Sequence, residues 1–178
     1  NLYARMDRPA DAIEQYEKAI QIDNEFYPAK ANLAVLYSQQ GRNPEAETLL
    51  RGALETAPEM HDLAYSLGLL LVEMQRYPEA LTFLERAAAG LPGRARIHYN
   101  LGMLYQFMQD LERTELALGR ALALEPDNLE FLYAMADHLI KLGRFEEARP
   151  LAVRMAELYP QEPIGGQMLD FIRQNTGR

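Results

Sequence analysis

Residues 95–128 read ARIHYNLGMLYQFMQDLERTELALGRALALEPDN. Leu101, Leu104, Tyr105 and Met108 recur at intervals of three and four, which places them on one face of a helix. In the preceding stretch Leu81, Leu84, Ala88 and Leu91 do the same. Moving outward, Pro126 is one of four prolines spaced by 34 residues, with Pro58, Pro92 and Pro160. The same step links Leu33, Leu67, Leu101 and Met135, and Ala34, Gly68, Gly102 and Ala136. It also links Ala12, Ala46, Ala80, Thr114 and Ala148, and Ala19, Ala53, Ala87, Ala121 and Met155. So many series in step, without one insertion, mark a repeat architecture.

Each period holds two helical segments of about a dozen residues, parted by short breakers such as Gly-Arg-Asn-Pro (41–44), Gln-Arg-Tyr-Pro (75–78) and Leu-Gly-Arg-Phe (142–145). Pro44 and Pro78 suit the first turn of a helix, where the missing N–H has no partner to lose. The prolines that close each period stop the second helix. Pro150 falls inside a second helix, so a bend or a delayed start is expected there.

The pattern is similar to the tetratricopeptide repeat, whose signature runs aromatic-x2-Leu-Gly-x2-Tyr, then Ala-x3-Phe, then Pro. One period reads His98-x2-Leu101-Gly102-x2-Tyr105, Thr114-x3-Leu118, Ala121 and Pro126, and the one before it Ala64-x2-Leu67-Gly68-x2-Leu71, Ala80-x3-Leu84, Ala87 and Pro92. The resemblance covers essentially the whole chain: a partial repeat at 1–26, full repeats at 27–60, 61–94, 95–128 and 129–162, and a capping helix at 163–178. Lys30, Ala64 and His98 depart from the opening aromatic, and Thr114 and Met155 from alanines. The fold this implies is all-α, an α-α superhelix (solenoid) of helix-turn-helix repeats. Small residues at places eight and twenty of each repeat let helices A and B approach closely, and stacking covers the apolar face that each pair alone would expose. In the last segment Ile164, Met168, Phe171 and Ile172 form an apolar stripe opposite Gln167, Asp170, Arg173 and Gln174, as a terminal cap requires.

In this family the A helices line the inner wall, and partners bind there. The wall-facing places are two, five, six, nine, twelve and thirteen. Carried over, they give Asn32, Val35 and Gln39 in the first full repeat, and Tyr65, Leu69, Val72 and Glu73 in the second. The third gives Arg96, Tyr99, Asn100, Met103, Gln106 and Phe107, and the fourth Glu130, Tyr133, Asp137, Ile140 and Lys141. Tyrosine and methionine suit adaptable recognition of a peptide or helix. The Tyr65–Tyr99–Tyr133 series reads equally well as a buttress between repeats. Met103 and Phe107 are not required by the repeat, which singles them out. The carboxylate clamp of co-chaperone members is absent: only Asn100 or Asn32 matches its middle asparagine, and around Asn100 its lysine and arginine places hold Tyr65, Glu130 and Ala134, with Leu69 where it has an asparagine.

Composition excludes several other functions. The chain carries 18 Lys and Arg against 26 Asp and Glu, a net charge of −8, with no clustered basic surface for phosphates. Lack of cysteine removes disulfides, thiolate zinc sites and cysteine nucleophiles. The longest apolar run, 67–72, is far below the roughly 20 residues that cross a bilayer. His61, His98 and His138 sit at places one, four and ten and so point in different directions. Acidic pairs such as Glu146–Glu147 complement a helix N-terminus. The expected function is therefore a protein-interaction scaffold that takes a peptide or helix of a partner, with neither catalysis nor cofactor. Alternatives are a structural spacer or oligomerisation module, or a docking array attached to an enzymatic or redox domain upstream. The chain begins without Met and in mid-pattern, as expected of a piece of a longer, bacterial-type array. Self-association through the truncated first repeat, around Tyr3, is a further expectation. The compartment is not written in the sequence.

Overall fold

The computed structural model describes residues 9–177, and the expectation about Tyr3 lies outside them. Among the described residues all regular structure is helical. The chain forms two compact units, one ending at Pro92 and the other beginning at Gly93. In the first, α1 (Pro9–Ile22) is followed by the pairs α2 (Tyr27–Gln39) with α3 (Asn43–Thr56) and α4 (His61–Glu73) with α5 (Tyr77–Gly90). In the second, α6 (Ala95–Phe107) pairs with α7 (Leu111–Leu124) and α8 (Leu129–Lys141) with α9 (Phe145–Leu158), and α10 (Ile164–Thr176) follows. This is the all-α solenoid architecture of helix-turn-helix repeats with a capping helix.

The turn from helix A to helix B is built alike in all four pairs. The N–H groups of Arg42, Arg76, Asp110 and Arg144 donate to the carbonyls of Tyr37, Leu71, Tyr105 and Leu139, respectively, at 2.8 or 2.9 Å. This closure needs a left-handed residue just before the donor. Gly41 and Gly143 supply it at φ +73°, whereas Gln75 and Gln109 adopt φ 59° and 61° with a side chain in the way. Pro28, Pro44 and Pro78 occupy the first turns of α2, α3 and α5. Asp110 caps α7 by accepting from the Arg113 N–H at 3.1 Å, and Asn128 caps α8 through the Glu130 and Phe131 N–H groups.

Packing of A on B explains the small residues of the period. A β-carbon on Gly68 would lie 2.7 Å from Leu84 Cγ, and one on Gly102 would lie 2.6 Å from Leu118 Cδ2. The fourth pair carries Ala136 at that place, and the residue matching Leu84 and Leu118 is Ala152, so the larger residue meets a smaller partner. Leu67, Leu71 and Leu84 are fully buried in the first unit, as are Leu132, Met155 and Ile172 in the second. Each such side chain contributes about 1.5–3 kcal/mol of burial.

One expectation is narrowed and another corrected. Helix α9 starts at Phe145, so of the bend or delayed start expected at Pro150 the delay does not occur; the proline lies inside a helix that runs on to Leu158. The apolar stripe of α10 is also narrower than its sequence suggests. Met168 and Ile172 are buried and Ile164 is half-buried, but Phe171 is 47% exposed and touches Phe145 only at a ring-centroid distance of 6.4 Å.

Candidate functional site

Helix A side chains that do not pack on helix B form the open face of each unit. In the first unit this face comes from α2 and α4. Val35 and Leu69 are exposed apolar residues there, while Tyr65 and Val72 are half-buried. A cavity of about 390 Å3 between the two helices is lined by Val35, Ser38, Tyr65, Leu69 and Glu73, among others. The Ser38 hydroxyl donates to the Glu73 carboxylate across it at 2.5 Å.

In the second unit the face comes from α6 and α8. Phe107 is 65% exposed, and Met103 and Tyr133 are also exposed. Asn100, Gln106, Asp137 and Ile140 are half-buried. Ile140 packs partly against the core between α8 and α10, so only part of it is open. Charges on this wall pair with one another. Arg96 bonds Glu130 at 2.5 Å, Lys141 bonds Asp137 at 2.5 Å, and the Gln106 amide reaches Asp137 at 3.5 Å.

The tyrosine series divides between its two readings. Tyr99 is a buttress: its ring stacks on Phe131 of the next helix A at 5.1 Å, and the Arg96 guanidinium lies over both rings at 5.1 and 5.0 Å. Burial, and the Glu130 carboxylate that its hydroxyl meets, push the Tyr99 phenol up to about 12. Tyr133 is open and lines a cavity of about 550 Å3 with Arg96, Asn128, Glu130, Tyr159 and Ile164.

Ile164 and Phe171 were missed as wall residues. The signal was in the period: adding 34 to Val35 gives Leu69, Met103, Asp137 and then Phe171, all at place nine. Helix α10 is thus a fifth helix A as well as a cap.

Chemistry of other kinds finds little footing. Among the described residues no group of three or more His, Asp or Glu is placed to hold a metal, and no helix is long and apolar enough to cross a membrane. His138 is buried in α8 with its Nε2 unpartnered. Burial lowers its pKa, opposed by Glu115 and Asp137 and assisted by Arg144 and Lys141. The folded state therefore resists the imidazolium. The stability this side chain confers is complete above the unfolded value of about 6.5 and falls as pH drops through that value. Urea titrations at two pH values straddling 6.5 should show the wild-type midpoint falling on acidification, and His138→Leu should flatten that fall. An equal fall in both proteins would remove His138 as its cause.

Stacked helix pairs with an open face of apolar and mutually paired polar side chains define a helical-repeat scaffold. The profile of the tetratricopeptide repeat matches residues 3–70 and 108–168, and the chain belongs to that family. No curated protein matches it. Among solved structures, PilF of Pseudomonas aeruginosa is 24% identical over 98% of this chain and 80% of its own, with a TM-score of 0.85. YrrB, a tetratricopeptide protein with an unusual peptide-binding site, is 21% identical over 93% of this chain and 85% of its own, at 0.79. A MamA structure from Desulfovibrio magneticus is 21% identical over 90% of both chains, at 0.77. These likenesses bear on the fold.

Proposed function

We propose that the helix A faces hold segments of a partner protein, with Val35 and Leu69 as the principal contacts in the first unit and Met103, Phe107 and Tyr133 in the second. The observation that carries this reading is that each unit leaves apolar side chains open on its helix A face, Val35 and Leu69 in the first and Met103, Phe107 and Phe171 in the second. Folding leaves these residues open while the small and branched residues beside them are buried. Their polar neighbours on α6 and α8 satisfy each other, which leaves a surface of low desolvation cost for a peptide to cover. YrrB, with its peptide-binding site, shows that a fold of this kind can serve such a use.

Tyr99 is a poor target for a test, because its removal would also unstack Phe131. Met103→Ala with Phe107→Ala is cleaner. A peptide selected on the whole chain from a display library should bind at about micromolar strength, near 8 kcal/mol, in a calorimetric titration. The double variant should weaken it about tenfold or more and leave the melting temperature within a degree or two. Full-strength binding by the double variant would remove these two residues from the site.

A further inference from the structure

Place nine of the helix A faces holds Val35 and Leu69 in the first unit, and Met103, Asp137 and Phe171 in the second. Met103 alone among them carries sulfur. A thioether is apolar enough to serve as a binding contact, yet peroxides oxidise it, and the product is strongly polar. The two units therefore differ in chemistry at the same place of the repeat. The contact on α6 can be changed by a small oxidant, and those on α2 and α4 cannot.

Exposure sorts the methionines. Met103 is 39% and Met108 42% exposed, whereas Met155 and Met168 lie in the core. Met60, Met74 and Met135 are half-buried, and Met6 lies outside the described residues. Oxidants reach accessible sulfur first, so among the described residues Met103 and Met108 lead. Their positions differ. Met108 is the C-cap residue of α6, beyond the end of the helix, while Met103 stands within it, one turn from the exposed Phe107. The opposite side of α6 is anchored by Leu101, Leu104 and Tyr105, all buried, so a change at Met103 leaves the helix pair intact.

We propose that Met103 is a modification site: a hydroperoxide converts it to the sulfoxide, which releases a partner segment from the second unit while the first unit keeps its own. This rests on the reading that the helix A faces bind partner segments, and it names a control acting on one of them. In the step, a sulfur lone pair takes one peroxide oxygen, so an S–O bond forms as the O–O bond breaks. With hydrogen peroxide, the proton on the transferred oxygen passes to the departing one, which leaves as water. Sulfur is oxidised by two electrons and the peroxide is reduced by two, so no other reactant is needed. On the open wall, water satisfies the new sulfoxide oxygen. An apolar segment laid over it strips that water away and leaves a strong acceptor unpaired, which lowers the affinity.

The test uses the whole chain and two labelled heptapeptides free of methionine and cysteine, both selected on it from a random library. One loses binding on Met103→Ala with Phe107→Ala, and the other on Leu69→Ala. Mild hydrogen peroxide treatment is followed by mass-spectrometric peptide mapping, thermal melting and fluorescence-anisotropy titration. Met103 and Met108 should each gain one oxygen ahead of the other described methionines, with the melting temperature unchanged. At that stage the first peptide should bind about tenfold or more weakly and the second as before. Methionine sulfoxide reductases of both stereospecificities should restore the first. Met108→Leu should lose the first peptide on peroxide treatment as the wild type does. In Met103→Leu, whatever its starting affinity, peroxide should make no difference. A loss that persists in Met103→Leu would overturn the proposal, as would full-strength binding by a chain oxidised at Met103, or oxidation of the core methionines first. Failure of the underlying reading shows before any peroxide is added: selected peptides that respond to neither Leu69→Ala nor Met103→Ala with Phe107→Ala would overturn both.

Discussion

In a Gly165→Ala variant, hydrogen exchange should find α10 unprotected while the amides of α6 to α9 keep most of their protection. A β-carbon at Gly165 would stand 2.5 Å from the Ala156 backbone nitrogen, 2.9 Å from its Cα and 3.1 Å from the Ala152 carbonyl oxygen. The obstacle is backbone, so no rotamer change relieves it; α10 must move away from α9. Overpacking of this kind costs about 1–3 kcal/mol by itself. Displacement also opens Met168 and Ile172, whose burial contributes about 1.5–3 kcal/mol each. The neighbouring residue supplies the control. Nothing lies within 4 Å of a β-carbon on Gly166, an exposed helical position. Gly166→Ala should therefore stabilise the protein, by about 0.5–1 kcal/mol, because alanine loses less backbone freedom in a helix. Similar unfolding midpoints for the two variants would show that α10 does not dock on α9 as described.

The second large effect is at Phe131. Its side chain is 1% exposed, stacked on Tyr99 and packed beneath Arg96, with Ala95 and Ala121 in the same cluster. Phe131→Ala removes that ring from a closed environment and should cost about 3–5 kcal/mol in urea denaturation followed by far-UV circular dichroism. Domains of ordinary stability have about 5–15 kcal/mol in all, so the second unit should lose most of its margin. Leu116→Ala, on an exposed side chain of α7, should stay within about 0.5 kcal/mol. If Phe131→Ala and Leu116→Ala shifted the midpoint equally, Phe131 could not be the pivot between α6 and α8. The pair also bears on function, since Tyr99 is held by Phe131 and the Arg96–Glu130 pair by its packing on both rings.

Much of this architecture was legible because a helical repeat writes the same contact many times. Gly68 and Gly102 face Leu84 and Leu118 in equivalent geometry, so the series declares itself without coordinates. The prolines after each helix B mark ends for a similar reason. Other features depend on how side chains are spent between neighbouring helices. Arg96 and Glu130 occupy place two of successive repeats, yet only the fold shows them joined over two aromatic rings. The close approach at Gly165 was hidden because two glycines in a row read as a weak helix, with no sign that one is needed and the other is not. Phe171 was assigned to the core by the amphipathic stripe of α10, when the 34-residue step already placed it with Val35, Leu69 and Met103. In each of these cases local periodicity was the weaker guide and register between repeats the stronger.

Methyl NMR tests most directly the claim that helix A faces, and not helix B faces, receive the partner. Exposed methyl-bearing side chains exist on both: Val35, Leu69 and Met103 on the A helices, Leu116, Val153 and Leu158 on the B helices. Titrating a selected peptide into the methyl-labelled chain should shift the first group and leave the second in place. Shifts confined to Leu116, Val153 and Leu158 would contradict the account.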